Sequence, residues 1–264
     1  MKFWTVDCFT GELFQGNPAG VCVLDAFFAD TVMQKIAAEI NLSETVFLVS
    51  KEQNHFDLRC FSPAAEVKVC SHATLAAAHI LWTTSHPMAG ESLYFESVSG
   101  IFKAQKQDGA ISIDLPALPV DLISVPDWLV LGLGLPPVSV SKSGNDLIVE
   151  LNTPQQVIDL DPNISKFAKM DFDGVIITAD YDTDETYDFV SRYFTPRDIT
   201  PENAASGLAH CKLATYWSER LEKKNLRAYQ ASKRGGAFSM VCDKERIHLI
   251  GQAVTVFRGE FLAI

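Results

Sequence analysis

"RCFSPAAEVKVCSHATLAAAHILW", residues 59–82, and "RYFTPRDITPENAASGLAHCKLATYW", residues 192–217, are two versions of one pattern. Each opens on Arg-x-Phe-[Ser/Thr]-Pro, at Arg59–Pro63 and Arg192–Pro196. Each then reads His-x-x-Leu-Ala, at His72–Ala76 and His210–Ala214. The copies lie about half a chain apart and keep their order. In both, a β-type run ("FDLRCF", "YDFVSRYF") passes through a turn into a helical pattern. Such a repeat predicts two similar domains, each with a strand leading into a central helix.

The first of these helices, "HATLAAAHILW", is apolar nearly all the way round, and a helix of that kind in a water-soluble chain lies in the core. Around it are many short β-type runs, among them "KFWTVDCF", "GVCVLD", "TVFLVS", "AISIDLP", "GVIITA" and "RIHLIG". One amphipathic surface helix is expected over "DTVMQKIAAEI", where Val32, Met33, Ile36, Ala37 and Ile40 share a face behind Asp30 as N-cap. Many strands, few helices and one helix buried on all sides predict sheet wrapped around a central helix. The Pro-rich stretch from Leu115 to Pro126 is the expected domain crossing.

Composition excludes several functions. The 264 residues are 47% hydrophobic and 21% charged, with a formal charge of −11. That balance argues against nucleic acid and against an anionic membrane surface, both of which need clustered Lys and Arg. "MKFWTVDCFT" carries no secretory h-region, and the longest apolar stretch, "LISVPDWLVLGLGLPPVSV", is broken by Asp127, two glycines and prolines. Six cysteines without CxxC spacing predict reduced thiols, a cytoplasmic location, and neither disulfide framework nor metal site.

No phosphate loop or dinucleotide fingerprint is present, so any chemistry falls to acid–base groups without a cofactor. A helix N-terminus offers unpaired N–H groups to a carboxylate, and the small residues of "CSHA" and "NAASGLA" let backbone approach a ligand. The candidate groups are Glu44, His72 and Cys70. Residue types alone leave each open. Glu44 reads as a solvated strand end, as a capping-box partner of Asn41, or as a carboxyl whose pKa is raised by burial. His72 reads as a cap or a satisfied core polar group, and Cys70 as a small buried hydrophobe.

"VDCFTGELFQGNPAGVCVL", "MQKIAAEINLSETVFLV", the two repeat segments and "SKRGGAF" resemble, in order and over essentially the whole chain, the PhzF-like isomerase family of phenazine biosynthesis. The resemblance implies an α/β (α+β) fold of the diaminopimelate epimerase-like type. Two pseudo-symmetric domains each roll a sheet around a central helix. With the Pro-rich crossing this gives domains over 1–116, joined by a C-terminal strand at about 254–264, and 117–253. It implies a homodimer, no cofactor, and a small carboxylate-bearing substrate. The Glu of the family's Asn-Leu-Ser-Glu-Thr motif moves the proton, which is Glu44 here; the family's substrate-polarising His is His72. Ser71, Ala73, Asn203, Ser206, Gly207 and Leu208 fall at its substrate-binding positions.

Three of these depart from the usual pattern. Asn203 stands for Asp, Leu208 for Ser and Ser71 for Gly, which points to a different substrate or to lost activity. Two other readings follow from the same residues. In related epimerases two cysteines exchange a proton across an α-carbon; Cys70 fits the first, while Ser206 occupies the second position. A non-catalytic binding protein is the third reading, motivated by Asn203 and Leu208.

Overall fold

The computed structural model describes residues 1–68, 70–84, 92–107, 109–167, 171–181, 186–198 and 200–262. The chain divides into two compact units, Met1–Leu115 with His248–Ile264, and Pro116–Ile247. Residues 263 and 264, the end of the expected C-terminal strand, lie outside the described residues. Among the described residues no helix is long and apolar enough to cross a membrane.

The first unit contains β1 (Lys2–Cys8), β2 (Asn17–Leu24), α1 (Asp30–Ile40), β3 (Glu44–Ser50), β4 (His55–Phe61), β5 (Glu66–Val67), α2 (Ser71–Thr84), β6 (Leu93–Ser97), β7 (Gly100–Gln107) and β8 (Ala110–Pro116). The second contains β9 (Asp121–Leu122), α3 (Asp127–Leu133), β10 (Ser139–Ser143), β11 (Asp146–Glu150), α4 (Pro154–Ile158), α5 (Ile164–Phe167), β12 (Gly174–Asp180), β13 (Phe189–Phe194), α6 (Gly207–Arg220), β14 (Asn225–Gln230) and β15 (Gly236–Asp243). β16 (Arg246–Gly251) carries the chain back, and β17 (Ala253–Glu260) pairs antiparallel with β1.

The strand pairings show the repeat. In the first unit β1·β2 is antiparallel, β2·β3 parallel, β3·β4 antiparallel, β4·β6 parallel and β6·β7 antiparallel. In the second, β10·β11, β11·β12, β12·β13, β13·β14 and β14·β15 run through the same alternation. A parallel pair needs a crossover. α1 supplies one for β2·β3, and α4 with α5 supplies the equivalent for β11·β12. The other crossovers are the central helices, α2 between β4 and β6 and α6 between β13 and β14.

Small residues let the sheet close around α2. Residues Ser71 to Ala78, Ile80 and Leu81 are all buried, four of them alanines. The helix packs against β1, β2, β3, β7 and β17. α6 is buried from Ala209 to Ala214 and again at Tyr216 and Trp217, and rests on β14 and β15. α1 lies on the other face of the first sheet, where Met33, Ile36 and Ala37 join Phe3, Cys22, Phe47 and Phe61 in a separate apolar cluster. Its N-cap is Ala29, without a side-chain hydrogen bond, and not Asp30. The Asp30 carboxylate is drawn instead to Arg59 Nη1, 2.7 Å away, since a guanidinium is a stronger partner than a backbone N–H.

Strand alternation then sets the direction of Glu44. Phe47 faces α1, so Val46 and Leu48 face α2, and Glu44 shares their parity. A carboxylate at the first residue of β3 is thereby turned toward the central helix.

Candidate active site

The strand-to-helix turns that carry the candidates are held by the two repeat arginines. Arg59 Nε and Nη2 each donate to one oxygen of Glu66 at 2.8 Å. Arg192 grips Glu202 at 2.7 and 3.1 Å, and its Nη1 donates to the Leu160 carbonyl. Each bidentate fork fixes the chain between a sheet strand and the start of a central helix. The Arg-x-Phe signature is therefore structural.

In the first unit Glu44 and His72 meet. Glu44 Oε2 lies 3.4 Å from His72 Nδ1, with only 15% of the Glu44 side chain exposed and 8% of His72. The solvated strand end is thus the wrong reading of Glu44. Asn41 does not cap through it either, because Asn41 ends α1 in the left-handed conformation with its N–H on the Ala37 carbonyl. Cys60, opposite Val46 on β4, donates its thiol to Glu44 Oε2 at 3.5 Å. Burial pushes the Glu44 carboxyl up to about 8, against a smaller opposing pull from that thiol. Burial pushes the His72 imidazole down to about 4. The pair therefore holds its proton on the carboxyl at neutral pH.

Hydrogen-bond accounting gives the tautomer of His72. Its Nε2 is 3.2 Å from Ser43 Oγ. Ser43 has one hydroxyl proton, and the Asn17 Oδ1 and Pro18 carbonyl acceptors each lie 2.9 Å away. With that proton spent, Oγ accepts from Nε2–H, and Nδ1 is left as a bare lone pair facing Glu44. Cys8 Sγ donates to the His72 carbonyl at 3.2 Å and adds to the hold on this turn of α2. Ser71 and Ala73 flank His72, both buried in the first turn of α2.

Cys70 immediately precedes α2. Its carbonyl accepts from Thr74 N at 2.9 Å and Thr74 Oγ1 at 2.8 Å, and it is 1% exposed. Donor atoms of Glu44, Cys60 and Cys70 all lie within 4.8 Å of one another.

Asn203, Ser206, Gly207 and Leu208 belong to the second unit, around the start of α6. Ser206 is the N-cap, its Oγ accepting from Ala209 N at 3.2 Å. Gln230 fastens the turn, accepting from Ser206 N at 2.9 Å and donating to the Asn203 carbonyl at 2.6 Å. Gly207 is buried, Leu208 and Asn203 are half-buried, and Asn203 Oδ1 is a buried acceptor without a donor among the described residues.

Cys60 and Ser43 are the contributors that sequence reasoning missed. Ser43 sits inside the Asn-Leu-Ser-Glu-Thr run next to Glu44, and that adjacency was its only signal. Cys60 reaches Glu44 through the β3·β4 register, which no local motif encodes.

The fold is shared with proteins of distant sequence. A crystal structure of a probable proline racemase from Agrobacterium radiobacter superposes with a TM-score of 0.62 over the whole of this chain and 93% of that one, at 9% identity, a likeness of fold alone. The family is closer. The PhzC-PhzF profile, described as phenazine biosynthesis-like protein, matches residues 6–259. An uncharacterized isomerase of Halalkalibacterium halodurans is 43% identical over 260 residues, covering 98% of this chain and 97% of its own. A PhzF-family crystal structure from Enterococcus faecalis gives a TM-score of 0.92 at 36% identity, with 99% of both chains covered. The chain belongs to the PhzC-PhzF family, some of whose similar members carry the name isomerase.

Proposed function

We propose that the protein is a cofactor-independent isomerase that moves a proton on a small carboxylate-bearing substrate, with Glu44 as the acid–base. The observation that carries this reading is the Glu44–His72 pair. A carboxyl at 15% exposure faces a bare imidazole nitrogen 3.4 Å away. A carboxyl tuned toward neutrality is matched to taking a proton from carbon and returning it, because neither protonation state is far in energy from the other.

His72 positions and polarises the substrate in this reading, with its ring oriented by Ser43. The N–H groups near Ser71 and Ala73 hold the substrate carboxylate. Ser206, Gly207 and Leu208 are substrate-binding candidates on the family pattern, with the Ser206 N–H itself already given to Gln230. Asn203, where the family usually has Asp, is a substrate-binding candidate on the same pattern, its Oδ1 without a donor among the described residues. The neutral amide accepts a hydrogen bond without adding charge, which favours a substrate different from that of Asp-bearing relatives. A cytoplasmic homodimer belongs to the same proposal.

The test is solvent deuterium uptake. The protein is incubated in heavy water with cyclic unsaturated carboxylates and amino acids, and loss of C–H signals is followed by proton NMR. Glu44→Gln is expected to lower exchange at least ~10³-fold while leaving the fold intact, within the usual range for general acid–base groups. Exchange that persists in Glu44→Gln and disappears in Cys70→Ala would assign the base to Cys70 instead.

A further inference from the structure

The inner face of the first unit holds a set of donors that proton transfer does not use in full. Glu44, Cys60 and Cys70 bring one carboxylate oxygen and two sulfurs within 4.8 Å of one another. Glu44 Oε2 is 3.5 Å from Cys60 Sγ and 3.4 Å from His72 Nδ1. We propose that Glu44, Cys60, Cys70 and His72 form a site for a thiophilic divalent cation, zinc or cadmium, and that its occupancy shuts off proton transfer by Glu44.

The spacing fits. Bonds of about 2.3 Å to sulfur and about 2.0 Å to nitrogen or oxygen leave neighbouring ligand atoms of a tetrahedral ion roughly 3.3–3.8 Å apart. The two Glu44 contacts, to Cys60 and to His72, have that length, and the other edges among Glu44, Cys60 and Cys70 close with shifts of about an ångström. His72 stands next to that trio and turns in through its contact with Glu44. Two sulfurs with one imidazole and one carboxylate select zinc or cadmium over magnesium or calcium, which take oxygen ligands.

The surroundings of His72 fit as well. A metal-bound imidazole characteristically donates its other ring N–H to an oxygen that is itself anchored. His72 Nε2–H is given to Ser43, and Ser43 is tied to the Pro18 carbonyl. The lone pair of Nδ1 is left pointing at the donor set. Both sulfurs belong to residues 1% exposed, so the ion enters from the Glu44 side. As the bonds form, the two thiol protons and the carboxyl proton pass to water. No CxxC spacing announces the site because β3, β4 and the residue before α2 each contribute one of its first three ligands.

The inhibitory half of the proposal rests on the reading of Glu44 as the proton carrier; the binding half does not. A carboxylate held by a cation can neither accept nor return a substrate proton.

The full chain, reduced and stripped of metal, is titrated with Zn²⁺ against a chromophoric chelator and, separately, with Co²⁺. The expected result is one zinc per chain and a thiolate-to-cobalt charge-transfer band in the near ultraviolet. Cys60→Ser and Cys70→Ser should each weaken binding at least tenfold. Cys242→Ser, on β15, should leave it unchanged. One equivalent of Zn²⁺ should abolish the deuterium exchange, and chelator should restore it. Absence of stoichiometric zinc binding at micromolar metal, a cobalt spectrum without thiolate bands, or binding that survives loss of both Cys60 and Cys70 would overturn the site. Zinc binding with exchange undiminished would overturn its inhibitory action. The cobalt spectrum is read on the unaltered protein, so the outcome depends neither on how the variants fold nor on whether Glu44 is the base.

Discussion

His72 and His210 come from the same His-x-x-Leu-Ala pattern but stand at different points of their central helices, the second residue of α2 and the fourth of α6, and their surroundings differ in kind. His210 is fully buried, with its ring stacked on Phe238 at 3.5 Å between centroids. Its Nδ1 lies 2.8 Å from the Ser206 carbonyl, which can only accept, so the proton is on Nδ1. Nε2 then accepts from Ser191 Oγ at 3.2 Å. Both nitrogens are spent. His72 has the opposite tautomer, with Nε2–H spent on Ser43 and Nδ1 free to face a carboxyl. One repeat histidine is structural and the other is available for chemistry, and the difference lies in one lone pair.

The registers extend the comparison. Phe47 pairs with Cys22 and Arg59, and Ile177 pairs with Val149 and Arg192. Aligned on the arginines, Glu44 corresponds to Gly174, Cys60 to Tyr193 and Ala19 to Asp146. A Cβ at Gly174 would lie 2.4 Å from the Tyr193 ring, so the second unit has no room for a side chain where the first has Glu44. Its carboxylate, Asp146, has moved to the neighbouring strand, where Lys212 pairs with it and Tyr193 Oη donates at 3.2 Å. Adjacent points of the same register carry a neutralised ion pair in one unit and an unneutralised carboxyl in the other.

The largest effect should come from breaking the second unit's version. Lys212→Met leaves Asp146 buried without its cation, and is expected to destabilise the protein by about 3–5 kcal/mol, read as a shift in denaturant midpoint. Adding Asp146→Asn should recover most of that loss, because the stranded charge is gone. If Lys212→Met alone were neutral, Asp146 would have no stabilising debt to its cation and the contrast with Glu44 would fail.

Glu44→Gln should do the reverse. The folded carboxyl titrates at about 8 and the unfolded one at about 4.5, so between those values the folded state holds the extra proton. Stability from this group is complete below about 4.5 and is lost as pH rises toward 8. The Gln variant lacks this loss. It should match the parent near pH 5 and exceed it by roughly 2 kcal/mol above pH 8 in metal-free buffer, a value lowered for the partial exposure of Glu44. Parallel curves for the two proteins would mean that the carboxyl ionises freely in the folded state. The buried histidines act in the opposite pH direction. Their folded values, about 4 for His72 and about 3 for His210, are depressed, so their stability is present above 6.5 and lost on acidification.

This contrast also marks what the sequence can disclose. The repeat was legible because Arg59 and Arg192 perform one structural task twice, and a shared task preserves a shared word. The buried helix was legible from its lack of a polar face. Glu44 was not legible from residue type, since a carboxylate at a strand start is ordinary; the family resemblance singled it out. Cys60 was invisible because its part depends on standing opposite Val46 in the β3·β4 register. Asp146 and Lys212 sit 66 positions apart in unremarked words, and only the folded registers bring them together. The misjudged cap at Asp30 has the same origin: its partner Arg59 arrives from 29 residues away.

The smallest expected effect tests the tautomer on which the comparison turns. Ser43 is exposed, so Ser43→Ala lets water take its place beside Nε2 and should cost little stability. What it removes is the fixed acceptor that keeps the proton on Nε2. The ring can then place N–H on Nδ1, where it donates to the Glu44 carboxylate and favours the ionised form. The half-maximal pH for Glu44-dependent exchange should fall by about one unit, and the maximal rate should drop by roughly tenfold or less. Ser43→Thr, which keeps the hydroxyl, should restore both. An unchanged pH profile in Ser43→Ala would show that some other contact sets the His72 tautomer, and that the difference from His210 arises from its aromatic stacking and not from the serine.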